Sequence, residues 1–85
     1  MRLSADKSDP GYVPWRIAVA EGKSIRVLLD GIEQREVVTA DDELGVLVRP
    51  KLNWEGKLLI DPDNRDRVWL ETLQGQVRIE ISERA

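Results

Sequence analysis

Along most of the chain, apolar and polar positions alternate with a period of two, in runs of four to eight residues broken by Gly, Asp and Asn. This is the period of a strand with one face buried. The spacing predicts a first strand over Trp15–Ala20, with Pro14 at its start because proline cannot donate to a ladder, and a turn at Glu21-Gly22-Lys23. Ile25, Val27 and Leu29 carry the next alternation into Asp30-Gly31, a strong hairpin signal. A two-residue loop there sets Arg26 opposite Arg35, which is unfavourable. Either the loop is longer, or the next strand, Ile32 to Ala40, is bulged. The acidic Ala40–Gly45 stretch reads as a turn or a single helical turn capped by Asp41 or Asp42, followed by a strand over Val46–Arg49. The loop Asn53-Trp54-Glu55-Gly56, with Gly56 left-handed, brings Leu52 opposite Leu58 and Pro50 opposite Ile60. At the C-terminal end, a two-residue loop at Gln74-Gly75 pairs Val68 with Ile81, Leu70 with Ile79 and Thr72 with Val77. On the other face it matches Glu71 with Arg78, so apolar pattern and charge agree.

No segment holds a 3.6-residue apolar period over three turns, which argues against a long helix. The elements predict an all-β fold: a small antiparallel meander of six or seven short strands, with at most one short helical turn. It is rolled into a barrel or two tightly packed sheets. The turn-rich stretch over residues 1–11 reads as a flexible arm, residues 12–82 as one β domain, and residues 83–85 as a frayed tail. One feature resists a sheet with a single apolar face. Beside an inward set (Ile25, Val27, Val48, Ile60, Val68, Leu70, Ile79, Ile81) runs a second apolar series of opposite parity: Leu28, Leu47, Leu59, Trp69 and Leu73. A closed barrel leaves that series outside, where a contiguous patch calls for a covering partner.

Composition narrows the chemistry. With 85 residues the core is thin, and with no Cys and no His there is no disulfide or imidazole site to reinforce it. Packing of Val, Ile, Leu and Trp, or self-association, has to hold the fold. The formal charge of −3 argues against a predominantly basic nucleic-acid surface. No apolar run reaches the about 20 residues that span a membrane, and the start of the chain has no hydrophobic signal region. These features fit a location in the bacterial cytoplasm or in a virion.

The residues offer no catalytic constellation. Asp61-Pro62-Asp63-Asn64-Arg65-Asp66 has closely spaced oxygens, but Arg65, Asp66 and Thr72 stand where a calcium loop requires an oxygen ligand, Gly and Glu. Asp41-Asp42-Glu43 comes without a phosphate-cradling loop. The serines have no histidine to serve as base. The reading is therefore of a non-enzyme with no cofactor, no metal and no small-molecule substrate. Trp54, in a tight loop beside Gly56, is poorly placed for a core and well placed to anchor in a partner's pocket. Candidate partner-binding residues are Trp54, Leu28, Leu47, Leu59 and Trp69, for a protein partner or a second copy. An alternative is a single-strand nucleic-acid platform in which Arg16, Arg65, Arg67 and Arg78 converge near tryptophans.

Arg26-Val27-Leu28-Leu29-Asp30-Gly31, the Ala40-Asp41-Asp42-Glu43 turn, Gly56-Lys57-Leu58-Leu59-Ile60-Asp61 and Glu71-Thr72-Leu73-Gln74-Gly75-Gln76-Val77 together resemble short uncharacterised proteins of tailed bacteriophages and prophages. The similarity runs from about Ile25 to Ile81 and consists of strand and turn patterns. It implies a context, an accessory, assembly or host-interaction protein, and carries over no functional residue.

Overall fold

The computed structural model describes residues 1–83. In chain order the elements are β1 (Arg2–Ser4), α1 (Tyr12–Ala20), β2 (Lys23–Leu29), β3 (Ile32–Gln34), β4 (Thr39–Asp41), β5 (Val46–Pro50), β6 (Ile60–Asp61), β7 (Asn64–Val68), β8 (Leu70–Gln74) and β9 (Val77–Glu83). All pairings are antiparallel. They form a four-stranded sheet in the order β1-β4-β5-β8, a three-stranded sheet β3-β2-β9, and a separate β6-β7 ribbon. The architecture is therefore mostly β with two packed sheets and no closed barrel.

The core lies between the two larger sheets. Val27 of β2 and Val77 of β9 meet Ala40 of β4 and Leu47 of β5, with Ile25, Leu29, Val37, Leu73 and Ile79 packed around them. The register explains the match. In the three-stranded sheet Ile25, Val27 and Leu29 stand opposite Ile81, Ile79 and Val77. In the four-stranded sheet Leu3, Ala40, Leu47 and Leu73 line one row across all four strands.

Four expectations are corrected. Residues 15–20 form part of a helix rather than a strand. Tyr12, Trp15 and Ala18 recur every three residues and give α1 its covered side, with Ala18 fully buried. Pro14 falls in the first turn, where its missing N–H is not needed. Gly22, at φ +74°, ends the helix in the left-handed conformation, its amide donating to the Val19 carbonyl. The alternation of Trp15, Ile17 and Val19 was thus a coincidence of period: Ile17 and Val19 face solvent.

The expected arm over residues 1–11 is not loose at its start. Leu3 and Ser4 are buried in β1, which pairs with β4. Arg2 grips Asp9 through two parallel hydrogen bonds of 2.8 Å, and a third, of 3.2 Å, reaches Asp41. The Ser4 and Thr39 hydroxyls meet at 2.7 Å beneath them. At the other end, Glu83 closes β9, while residues 84–85 lie outside the described residues.

The expected single strand over Ile32–Ala40 is divided between the sheets as β3 and β4. Asp30 and Gly31 both adopt positive φ, 51° and 83°, as a two-residue type I′ turn requires. The pairing then stops at Val27–Gln34, one position before Arg26 would face Arg35. Glu36, at φ 56°, turns the chain away. Arg26 lies instead 3.0 Å from Glu33 and 3.5 Å from Glu80.

The predicted β8–β9 hairpin does not form. β8 pairs with β5 and β9 pairs with β2, so the connection at Gly75-Gln76 passes from one sheet to the other. The Gly75 amide donates to the Gly45 carbonyl, and the Asp30 carboxylate accepts from the Gln76 amide at 2.9 Å. A Cβ on Gly75 would lie 2.9 Å from both Asp30 carboxylate oxygens and from a Leu29 methyl. This glycine permits close approach where the sheets meet. Glu71 bonds Arg49 on β5 at 3.1 Å, and Arg78 bonds its own neighbour Glu80.

Candidate functional site

The exposed apolar residues concentrate where β5, β6, β7 and β8 meet. Three chain segments converge there in a ring of backbone hydrogen bonds. The Lys51 amide donates to the Trp69 carbonyl (2.7 Å), Trp69 to Leu59 (2.8 Å), and Leu59 back to Lys51 (3.0 Å). Three antiparallel arms leave this junction: β5–β8, the Asn53–Gly56 loop closed by the Leu52–Leu58 bridge, and the β6–β7 ribbon. The sequence anticipated Leu52 opposite Leu58 and a left-handed Gly56 (φ 81°), and both are present. Pro50, however, stands opposite Leu70, and Ile60 opposite Val68.

Strand alternation turns this junction into two chemically different faces. Lys51, Leu59 and Trp69 lie half-buried on one, with the Lys51 ammonium 4.0 Å above the Trp69 ring in a cation–π contact. Their sequence neighbours point the other way. Pro50, Leu52, Leu58, Ile60, Val68 and Leu70 are joined alternately by i, i+2 spacing and by cross-strand pairing, so they close into a ring of six. Leu52, Leu58, Ile60 and Leu70 are each 45–54% exposed.

In the loop that joins Leu52 to Leu58 stands Trp54, 92% exposed and the most exposed large apolar side chain among the described residues. Its loop is held from within. The Asn53 side-chain oxygen accepts from the Glu55 amide (2.8 Å) and the Lys57 amide (3.0 Å), while the Asn53 backbone donates to Lys57 and accepts from Gly56. Such an Asn-centred turn fixes the backbone that carries the indole. Beside it opens a cleft of about 250 Å³ lined by Arg35, Glu36, Arg49, Pro50, Leu52, Gly56 and Leu58. Arg49 is held by Glu71 and by the Gln34 side chain.

The remaining candidates are distributed differently from the expectation. Leu47 is corrected outright: it is 0% exposed, at the centre of the core, and meets no partner. Leu59 and Trp69 occupy the half-buried face of the junction. Leu28 is half-buried on the outer face of the three-stranded sheet, in a shallow cleft with Gly31, Gln76 and Arg78. The apolar parity from β5 to β8 is therefore reversed, whereas Ile79 of β9 packs toward the core as expected. Leu47 and Leu73 face the core, while Ile60 and Leu70, expected inward, are exposed. In β8 the reversal follows from the false β8–β9 hairpin, which tied its parity to that of β9 through the wrong connection.

The four arginines of the alternative reading sit on three elements: Arg16 on α1, Arg65 and Arg67 on β7, and Arg78 on β9. Arg67 is engaged by Asp61 (3.3 Å) and Arg78 by Glu80 (3.1 Å). In the Asp61–Asp66 turn, the Asp61 carboxylate accepts from the Asp63 amide and from Arg67, so its oxygens already serve the turn. Among the described residues, no group of three or more Asp or Glu side chains is placed to hold a metal ion, and no helix is long and apolar enough to cross a membrane.

Among the described residues, two shielded carboxylates of the N-terminal clasp, Asp9 and Asp41, are held below the ordinary carboxylate range. The Arg2 guanidinium, then the Gly11 amide, hold Asp9 down to about 2. The Leu44 amide, then Arg2 and the Glu43 amide, lower Asp41 against the cost of its burial. Of the two caps the sequence offered, Asp41 and Asp42, it is Asp41 that caps the turn before β5. No protein-family model matches this chain, and no curated protein or solved structure is significantly similar to it.

Proposed function

We propose that this protein is a non-enzymatic interaction module that binds another protein through Trp54 and the apolar ring at the base of its loop. The observation that carries the reading is a fully presented indole on a loop that its own hydrogen bonds hold rigid. An aromatic anchor fixed in advance loses little conformational freedom on binding, which is how hot-spot residues work. The half-exposed ring supplies the apolar surround that excludes water around such an anchor. The resemblance to phage and prophage proteins supports an assembly, accessory or host-interaction role, in a bacterial cytoplasm or on a virion.

The test compares the full chain with its Trp54→Ala variant in affinity capture. The reading expects bound protein that is lost with the variant while the circular dichroism of the two chains stays the same. Equal capture by both would overturn it. Titration with a fluorescent oligonucleotide at low salt tests the nucleic-acid alternative: no binding there, where electrostatic attraction is strongest, would end it.

A further inference from the structure

Trp54 sits in the loop whose Leu52, Gly56 and Leu58 line the cleft, and this decides which occupant fits. An isologous two-fold interface needs a patch that is complementary to itself, with knob and hole both present on each copy. Here the knob is Trp54, and the hole is the cleft of about 250 Å³ lined in part by Pro50, Leu52 and Leu58. We infer that a second copy of this chain docks here, each Trp54 entering its partner's cleft. This rests on the docking face proposed above and names its occupant.

Three features favour that occupant. The first is electrostatic. Arg35 lines the cleft and makes no ion pair among the described residues, so its guanidinium is available to the face of an incoming indole. Lys51 over Trp69 already shows the same cation–aromatic chemistry within this chain. The second is area. Trp54, Leu52, Leu58, Ile60 and Leu70, at their observed exposures, offer on the order of 500–600 Å² per copy, and a specific interface takes about 800 Å² per partner. The polar rim, Arg35 and Glu36 among it, makes up the remainder. The third is geometry. Trp54 lies two residues from Gly56, which lines the cleft, so a two-fold axis beside the loop places each knob near the other copy's hole. Gly56 adds no side chain to obstruct it, with open space around its Cβ position.

Sedimentation equilibrium of the full chain over a concentration series, together with fluorine NMR of 5-fluorotryptophan protein, tests the inference. A monomer–dimer equilibrium is expected, in which the Trp54 resonance moves with concentration while those of Trp15 and Trp69 do not. Trp54→Ala should weaken the dimer at least 100-fold and Arg35→Glu at least tenfold. Leu44→Ser, at an exposed apolar site outside this face, should leave it unchanged. Mixing the two weakened variants restores one intact knob and hole. The mixed dimer should then be at least tenfold tighter than the Trp54→Ala chain with itself, a recovery that indole stacked on indole would not give. A monomer at every concentration overturns the inference alone, leaving the docking face to another protein. A dimer indifferent to Trp54→Ala places the contact between copies elsewhere and overturns the inference too, while the face itself stands or falls on the capture experiment above.

Discussion

The two ends of the molecule handle mismatched side chains in opposite ways. At the N-terminal clasp, polar groups are buried: Ser4, Thr39 and Asp41 are each at most 6% exposed. There every carboxylate oxygen and hydroxyl has a partner, in Arg2, in a backbone amide, or in one another. At the three-way junction, apolar groups pair with one another and yet stay about half exposed. A buried polar cluster holds only while its bonds are complete, so the clasp is structural. An exposed apolar ring adds little to the fold, so its contribution is available for binding. The difference predicts that substitutions at the core and clasp are read in stability and those at the junction in association.

The strongest way to break this comparison is Leu47→Ala. Leu47 lies at 0% exposure between the two sheets, so its truncation should cost about 2–5 kcal/mol by urea denaturation. An effect below about 1 kcal/mol would put Leu47 outside the core and return it to the docking face.

Asp9→Asn comes next. The folded Asp9 pKa of about 2, against an ordinary value of 3.8, is a depressed one. Its contribution is fully present above pH 4 and disappears as the pH falls from about 4 through 2, while Arg2 stays protonated throughout. The variant should be less stable than the parent at pH 7 and show a flatter decline in stability between pH 4 and 2. A variant whose acid limb parallels that of the parent would show that Asp9 does not support the fold.

Gly75→Ala tests the junction between the sheets. The added methyl meets the Asp30 carboxylate and Leu29 at 2.9 Å, and about 1–2 kcal/mol of destabilisation is expected. Were Gly75 in a free hairpin loop, the substitution would be close to neutral, and the thermal midpoint separates the two cases.

Sequence reading recovered what local chemistry decides. The Asp30-Gly31 turn, the Leu52–Leu58 loop with its left-handed Gly56, and the Asp41 cap each follow from a few neighbouring residues. Long-range pairing was legible only in part, because β-strand partners are chosen by packing that local pattern does not encode. Glu71 and Arg78 looked like a cross-strand pair, yet Glu71 found Arg49, 22 residues earlier in the chain. The exposure of Trp54 was legible because a tryptophan beside a tight-turn glycine is poorly placed for a core wherever strands go. The ring of six was missed because its parity depended on the β8 partner. The signal that would have found it is the pairing of Pro50 with Leu70, which extends the Val48–Thr72 register by one step on the same face.

Ile60→Ser, the smallest expected effect, sharpens the comparison most. Ile60 begins β6 at 54% exposure, opposite Val68, and its ring neighbours are themselves half open to water. Losing its apolar surface there removes little burial, so stability should change by no more than about 0.5 kcal/mol. The same substitution takes apolar area from the docking face, so association should weaken although the folded chain is as stable as before. Equal stability with weaker association separates ring from core at a single residue. If Ile60→Ser instead cost more than about 1 kcal/mol in the isolated chain, the ring would have a covering within the chain, and the contrast between the two ends would reduce to one of polarity.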